Sequence, residues 1–433
     1  MSKLPPDHPD RSALADEIHA RPPEPLEAAS RLLYLAVLVD AEARDSERAH
    51  LERLCERFGA AGPGAGVTQF SATLGGVRLK WERHGEFSGY TVMARSTADA
   101  RPFAEPASAL LPPHWLESIP GVTIVAAHAH LVEAAGEPPA ADAAEHFGGN
   151  VVVGAAIGDG AGWAFTDFRT HADGCTRFLV YGRSFTPRQA GRMVQRLFEI
   201  EAYRMLALLA LPIARRQSPR IVAIEGALAE LTDGIARGSG QEEPLLHDLT
   251  RLAAEVESGL AASQFRFGAT RAYAELVWTR IDELRETRLE GIQTIQEFMA
   301  RRFAPAVNTC AIVSQRLHDL SERVAQASGL LATRVGIARE RQNQALLASM
   351  DRRAKLQLRL QQTVEGLSVA AIVYYVAGLV GYLAKGVKAA GLKIDPEIVV
   401  GAAIPLIALG AYRVIRRARG HLAHSEGPVS LGD

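Results

Sequence analysis

Residues 367–384 read LSVAAIVYYVAGLVGYLA, eighteen positions without a charge, and residues 398–412 follow as IVVGAAIPLIALGAY. At a rise of about 1.5 Å per residue the first block spans most of a hydrocarbon layer about 30 Å thick, so it reads as a membrane helix. The second is shorter, and reaches an adequate span if Arg413 extends toward the headgroups while Val414 and Ile415 stay in the apolar layer. The pair reads as a transmembrane hairpin at 364–415. Two buried helices of a soluble core would be the alternative, but uncharged runs of this length are uncommon there. Arg352, Arg353, Lys355 and Arg359 precede the hairpin and Arg413, Arg416, Arg417 and Arg419 follow it, which predicts both termini in the cytoplasm. Lys385, Lys388 and Lys393 in the loop, partly balanced by Asp395 and Glu397, pull against that orientation. In lipid a mid-depth hydroxyl needs a partner, so Tyr374 or Tyr375 is expected to face another helix or a wet pore.

Upstream of the hairpin, 433 residues with a net charge of -1 allow two or three domains and give no global attraction to nucleic acid. Hydrophobic residues at 48% with 6% aromatics favour long helices. Cys55, Cys175 and Cys310 are isolated, as in a reducing compartment, and indicate neither a disulfide framework nor a zinc site. The first 31 residues hold no apolar signal-peptide run and form a proline-rich arm, with a helical candidate at 12–19. Within the arm Glu17, His19 and Arg21 lie close enough in sequence to bind an anion, or to salt-bridge as a solvated segment.

Residues 32–212 read as an α+β domain with a mainly antiparallel sheet. A buried strand at 32–39 is followed by a helix at 42–58 and by strands at 67–74, 77–83 and 87–94, joined by Gly75-Gly76 and His84-Gly85-Glu86. Further strands are expected at 122–132, 151–157, 162–169 and 176–181, clustered with few helices between them. Thr186-Pro187-Arg188-Gln189 is a capping box with proline at the first helical position, and Pro212 should end the helix it starts. Residues 213–363 are expected to hold helices at 219–237, 244–262 and 270–288 and then a stalk. From Pro305 to Pro396 the chain has no proline. Cys310, Val313, Leu317, Leu320, Val324, Ala327 and Leu331 alternate spacings of three and four, a heptad seam. Unbroken from 305 to 384, such a helix would be about 120 Å long. Gly329, Gly336 and Gly366 are the places where it could bend. Residues 416–433 are a basic tail.

Chemistry-bearing patterns are sparse. His128 and His130 share one face of a strand, a spacing that can hold a metal, but no third ligand is evident and a structural role is the commoner outcome. The glycine clusters at 148–150 and 158–162 lack the strand-to-helix context of a phosphate loop and read as turns. Asp167, Arg169, His171, Asp173 and Cys175 read as a hairpin with solvated charges. No catalytic, cofactor-binding or metal site is therefore expected.

The segments HPDRSALADEIHARPPEPL (8–26), GGNVVVGAAI (148–157), RSFTPRQAGRMVQRLFEIEAYRMLAL (183–208) and TVEGLSVAAIVYYVAGLVGY (363–382) resemble the domain-of-unknown-function 3422 family of proteobacterial, predicted membrane-anchored proteins. The resemblance covers nearly the whole chain and implies no chemistry for any residue. The architecture also resembles the CorA-type two-helix magnesium channels. Their Gly-Met-Asn signature is absent, with Gly386-Val387-Lys388 and Gly391-Leu392-Lys393 in its place, and lysines at a pore mouth would repel divalent cations. The expected function is a non-enzymatic, membrane-anchored protein whose partners are the lipid bilayer and further copies of itself, through a seam of Leu317, Leu320, Val324 and Leu331. A homo-oligomeric channel, with ions as partners, is the alternative.

Overall fold

The computed structural model describes residues 5, 7–12, 14, 15, 22–97, 101–138, 140–237, 242–390 and 395–423. The arm cluster of Glu17, His19 and Arg21, residues 391–394 of the loop between the two apolar blocks and the tail from 424 lie outside the described residues. The chain forms two compact units, residues 1–329 and 330–433.

The first unit is built on an eight-stranded sheet in the order β2-β3-β4-β1-β5-β8-β7-β6. The strands are β1 (Ser30–Leu38), β2 (Gln69–Leu74), β3 (Val77–Arg83), β4 (Phe87–Arg95), β5 (Val122–Glu133), β6 (Val153–Ile157), β7 (Gly162–Thr166) and β8 (Thr176–Gly182). Neighbouring pairs are antiparallel except β5 with β8. The expected meander is present as β2-β3-β4, and the Gly158 to Gly162 cluster turns β6 into β7 through positive φ at Gly158, Asp159 and Gly160. The two faces of the sheet bury different cores, as period-two alternation requires. On one face Leu33, Leu35, Leu79 and Trp81 pack with Leu51 and Leu54 of α1 (Arg44–Arg57). On the other, Leu32, Tyr34 and Ala36 pack with Val194, Leu197 and Phe198 of α3 (Pro187–Leu208), a short α2 (Ala140–Ala144) lying between them in sequence. The α3 capping box forms as the sequence predicts, with Gln189 N–H donating to Thr186 Oγ1 at 3.3 Å. The edge strand β6 is closed by the segment after the next helices: Ala156 and Thr287 exchange backbone hydrogen bonds of 2.9 and 2.8 Å, and Gly154 donates to Gln293.

Helix boundaries depart in places from those expected. Helix α4 (Leu211–Arg237) begins before Pro212 and runs through Pro219. Pro212 sits in the first turn, where its missing N–H leaves no bond unmade. Helix α5 (Glu242–Leu284) replaces two expected helices by one, continuous through Gly268. Here tertiary contact outweighs propensity: Thr270 donates to the Ala207 carbonyl of α3 at 2.9 Å, and Phe267 is buried. A second capping box, Thr294 with Glu297, starts α6 (Ile295–Arg302), and α7 (Ala304–Ala389) then runs unbroken for 86 residues. The last helix is α8 (Pro396–Ala423).

The seam is the main correction. Leu317, Leu320 and Val324 are at most 2% exposed within a single chain, so no second copy is needed to cover them. Leu317 lies against Gly259 of α5, Arg316 pairs with Glu225 of α4 at 2.7 Å, and Ser321 donates to Glu257 of α5 at 2.6 Å. Helices α4 and α5 fold back over the first part of α7 and bury its apolar stripe. Leu331, at the start of the second unit, is fully buried as well.

In the second unit, α7 and α8 contain the two apolar blocks, and almost none of either is buried. Where the helices meet, a β-carbon on Gly381 would come 3.2 Å from Val400 Cγ2. Tyr374 and Tyr375 are 76% and 71% exposed and contact each other edge to face at 5.8 Å, so neither finds its partner inside the hairpin.

Candidate functional site

A concavity of the first unit lies between the sheet and α3, where the proline-rich arm crosses both. Gly191 makes that crossing feasible: a β-carbon there would sit 1.8 Å from the Glu24 carbonyl oxygen, so any side chain would displace the arm. The arm is fixed by Leu26 N–H to the Pro187 carbonyl at 2.9 Å and by Glu24, which accepts from Arg78 at 2.6 and 3.1 Å and from Ser71 at 2.7 Å. Burial works to raise the Glu24 carboxyl, and the bonds from Arg78 and Ser71 outweigh it, leaving it below the usual carboxylate value.

The cavity has a volume of about 340 Å³. Its floor comes from β1 and β3, whose alternation puts Tyr34, Lys80 and Glu82 on the α3 side while Leu33, Leu79 and Trp81 fill the opposite core. Lys80 Nζ donates to the Pro22 carbonyl at 2.9 Å and lies 2.9 Å from Glu82 Oε1. The Tyr34 ring stacks on Phe198 at 4.9 Å, and Gly89 leaves room for its hydroxyl, which an added β-carbon would meet at 3.4 Å. The facing wall is a chain of ion pairs. Glu199 accepts from Gln195 at 2.7 Å and from Arg196 at 2.8 Å and is paired with Arg280 of α5, and Glu283 bridges the two arginines. Burial lowers the Arg280 guanidinium, but Glu199 and Glu283 reverse the sign and keep it firmly charged. Burial, with the Glu199 carboxylate beside it, pushes the Tyr203 phenol up to about 12, and Tyr34 is raised well above its usual value by burial first, then by Tyr203, Glu82 and Glu199.

None of these residues stood out in the sequence. The signal was there in Val77-Arg78-Leu79-Lys80-Trp81-Glu82, whose charged positions alternate as a solvated strand face would. Because α3 covers that face, the charges line a cavity instead.

The patterns that did stand out serve structure. His128 and His130 are both buried, one facing Asp173 and the other Phe103 edge to face at 6.1 Å. Among the described residues no three His, Cys, Asp or Glu side chains gather as a metal site would need. In the polar run after β7, Arg169 and Asp173 are exposed as solvated charges would be, whereas Asp167 and Cys175 are buried. Asp167 is 4% exposed, accepts from Asn150 Nδ2 at 2.8 Å and from the Arg169 backbone at 3.1 Å, and has His171 Nε2 at 3.1 Å. It ties the loops at 147–150 and 167–175 together. Asp173 accepts from the Cys175 backbone at 3.1 Å, and burial together with Asp173 pushes the Cys175 thiol up to about 11.

A family model described as "Protein of unknown function (DUF3422)" matches residues 6–422. No curated protein and no solved structure matches the chain. The architectural likeness to CorA-type channels gains no support from these comparisons.

Proposed function

Since the chain belongs to the DUF3422 family, whose description assigns no activity, we propose from its physical chemistry that it is a non-enzymatic integral protein of the bacterial inner membrane, anchored by the α7–α8 hairpin with both termini cytoplasmic. The observation that carries this reading is the exposure of the two blocks: Leu367, Leu379, Leu383, Ile398 and Leu406 are each more than 60% exposed, on helices long and apolar enough to cross a bilayer. Apolar surface of that extent in water is an aggregation liability, and lipid covers it. The arginine-rich outer flanks support the orientation. Self-association belongs to the proposal too, and is motivated by Tyr374 and Tyr375, whose hydroxyls at mid-depth need hydrogen-bond partners that one hairpin does not supply. The cysteines are all buried, with thiols raised above their usual value by burial, which speaks against thiolate chemistry at these three positions.

Alkaline carbonate extraction of membranes tests the anchor. The full-length protein should stay in the pellet, and its release into the supernatant would overturn the reading. For self-association, replacing Tyr374 and Tyr375 together by Phe should shift the detergent-solubilised protein toward monomer.

A further inference from the structure

A second depression of the first unit, of about 400 Å³, lies between the C-terminal half of α1 and the loop at 112–118. Arg53 and Arg57 line it one helical turn apart, both exposed, and neither meets an acceptor among the described residues. Like charges at that spacing repel and weaken a helix, so the pair brings the fold no gain of its own. Among the described residues no carboxylate lines the depression, and Glu117 on the same loop is taken by His114 Nδ1 at 2.9 Å. The wall is Trp115, 7% exposed, whose ring stacks on His50 at 5.0 Å. Its carbonyl accepts from Ser118 Oγ at 3.0 Å and lies 3.1 Å from His50 Nε2, which fixes the residue in place. Its indole Nε1, however, is buried and bonds to nothing among the described residues. A buried donor without an acceptor costs stability, so an orphan of this kind points to an acceptor that the chain itself does not supply. The space falls within the range of ligand pockets, about 300 to 1,000 Å³.

We propose that this depression binds a phosphate monoester, whose oxygens accept from the Arg53 and Arg57 guanidiniums and from the Trp115 indole N–H. Three donor groups match three terminal oxygens, and a charge of about -1.5 to -2 at pH 7 matches two guanidiniums without a counter-ion. A carboxylate offers two oxygens and one charge, and leaves one donor group unused. His50 and Ser118 are positioning residues, acting through the Trp115 carbonyl. A soluble phosphorylated metabolite and the headgroup of phosphatidic acid present the same chemistry.

The test is calorimetric titration of the full-length protein in detergent with glycerol 3-phosphate and with short-chain phosphatidic acid, acetate serving as the control of single charge. At least one of the two phosphates should bind, and more tightly than acetate. Tighter binding of phosphatidic acid assigns the site to a lipid headgroup, and tighter binding of glycerol 3-phosphate to a soluble ester. Arg53→Gln and Arg57→Gln alter exposed side chains, so each should leave the unliganded melting temperature nearly unchanged while weakening binding about tenfold. Trp115→Phe keeps an aromatic ring against His50 and removes only the N–H donor, and should weaken binding by a smaller factor. The proposal is overturned if neither phosphate binds at millimolar concentration, if acetate binds as tightly as the better of them, or if either arginine variant binds as the parent protein does. An unaltered affinity in Trp115→Phe overturns the part given to the indole. Membrane anchoring is tested separately, by extraction, and stands or falls apart from this result.

Discussion

Leu317 of α7 lies over Gly259 of α5, close enough that a β-carbon on the glycine would be 3.6 Å from Leu317 Cδ2. A heptad stripe records that a helix face is apolar; it does not record whose helices cover it. Leu317→Ala should therefore destabilise the first unit by about 2–5 kcal/mol through the cavity it leaves. Light scattering of the solubilised protein should show no change of stoichiometry. Dissociation into folded protomers would instead place the stripe between subunits.

Glu47 on α1 has no exposed surface and accepts from Trp81 Nε1 at 3.0 Å and from the Tyr90 hydroxyl at 2.7 Å. Glu47→Ala strands both donors in an apolar core, so a loss of about 3–5 kcal/mol is expected in chemical denaturation. Tyr90→Phe removes one donor and leaves the carboxylate its bond to Trp81, and should cost clearly less.

How far the fold could be read in advance depended on how local the governing interaction was. The strand at 77–83 lies between two glycine turns and alternates cleanly, and the capping box at Thr186 satisfies its own helix end, so both were legible. Helix α5 was not, because the contact that carries it past Gly268 comes from α3, more than sixty residues earlier. The cavity was the least legible part. Tyr34, Lys80, Glu199 and Arg280 meet only through sheet order and helix placement, and each alone reads as an ordinary core or surface residue.

His130 shows how burial shapes the response to acid. Burial first, then Arg31 and His146, lower its pKa from the ordinary 6.5 to about 4, and His128 is lowered by burial as well. The unfolded chain therefore binds more protons than the folded one between these values. The stability held above pH 6.5 is lost as pH falls toward about 4, with a slope of at most about 1.4 kcal/mol per pH unit for one such group. His130→Leu should flatten the fall in melting temperature between neutral and mildly acidic buffer, while His128 keeps part of it. An unchanged pH profile would mean that other groups set the acid limit.

The C-terminal helical hairpin makes its own demand on side-chain size. Ala377 and Ala384, at 8% and 7% exposure, are the buried residues of the α7 block, and Gly381 between them faces Val400 of α8. Without a hydrophobic drive between helices in lipid, close approach of small residues supplies the contact energy. Gly381→Leu should push α8 away, at about 1–3 kcal/mol for the overpacked contact. Gly378→Leu is the matched control, because a β-carbon there meets nothing within 4 Å. Unfolding in mixed micelles should separate the two variants, with Gly381→Leu giving way first. If both behave as the parent protein does, the hairpin is held by its loop and by lipid, and the small-residue face carries none of its stability.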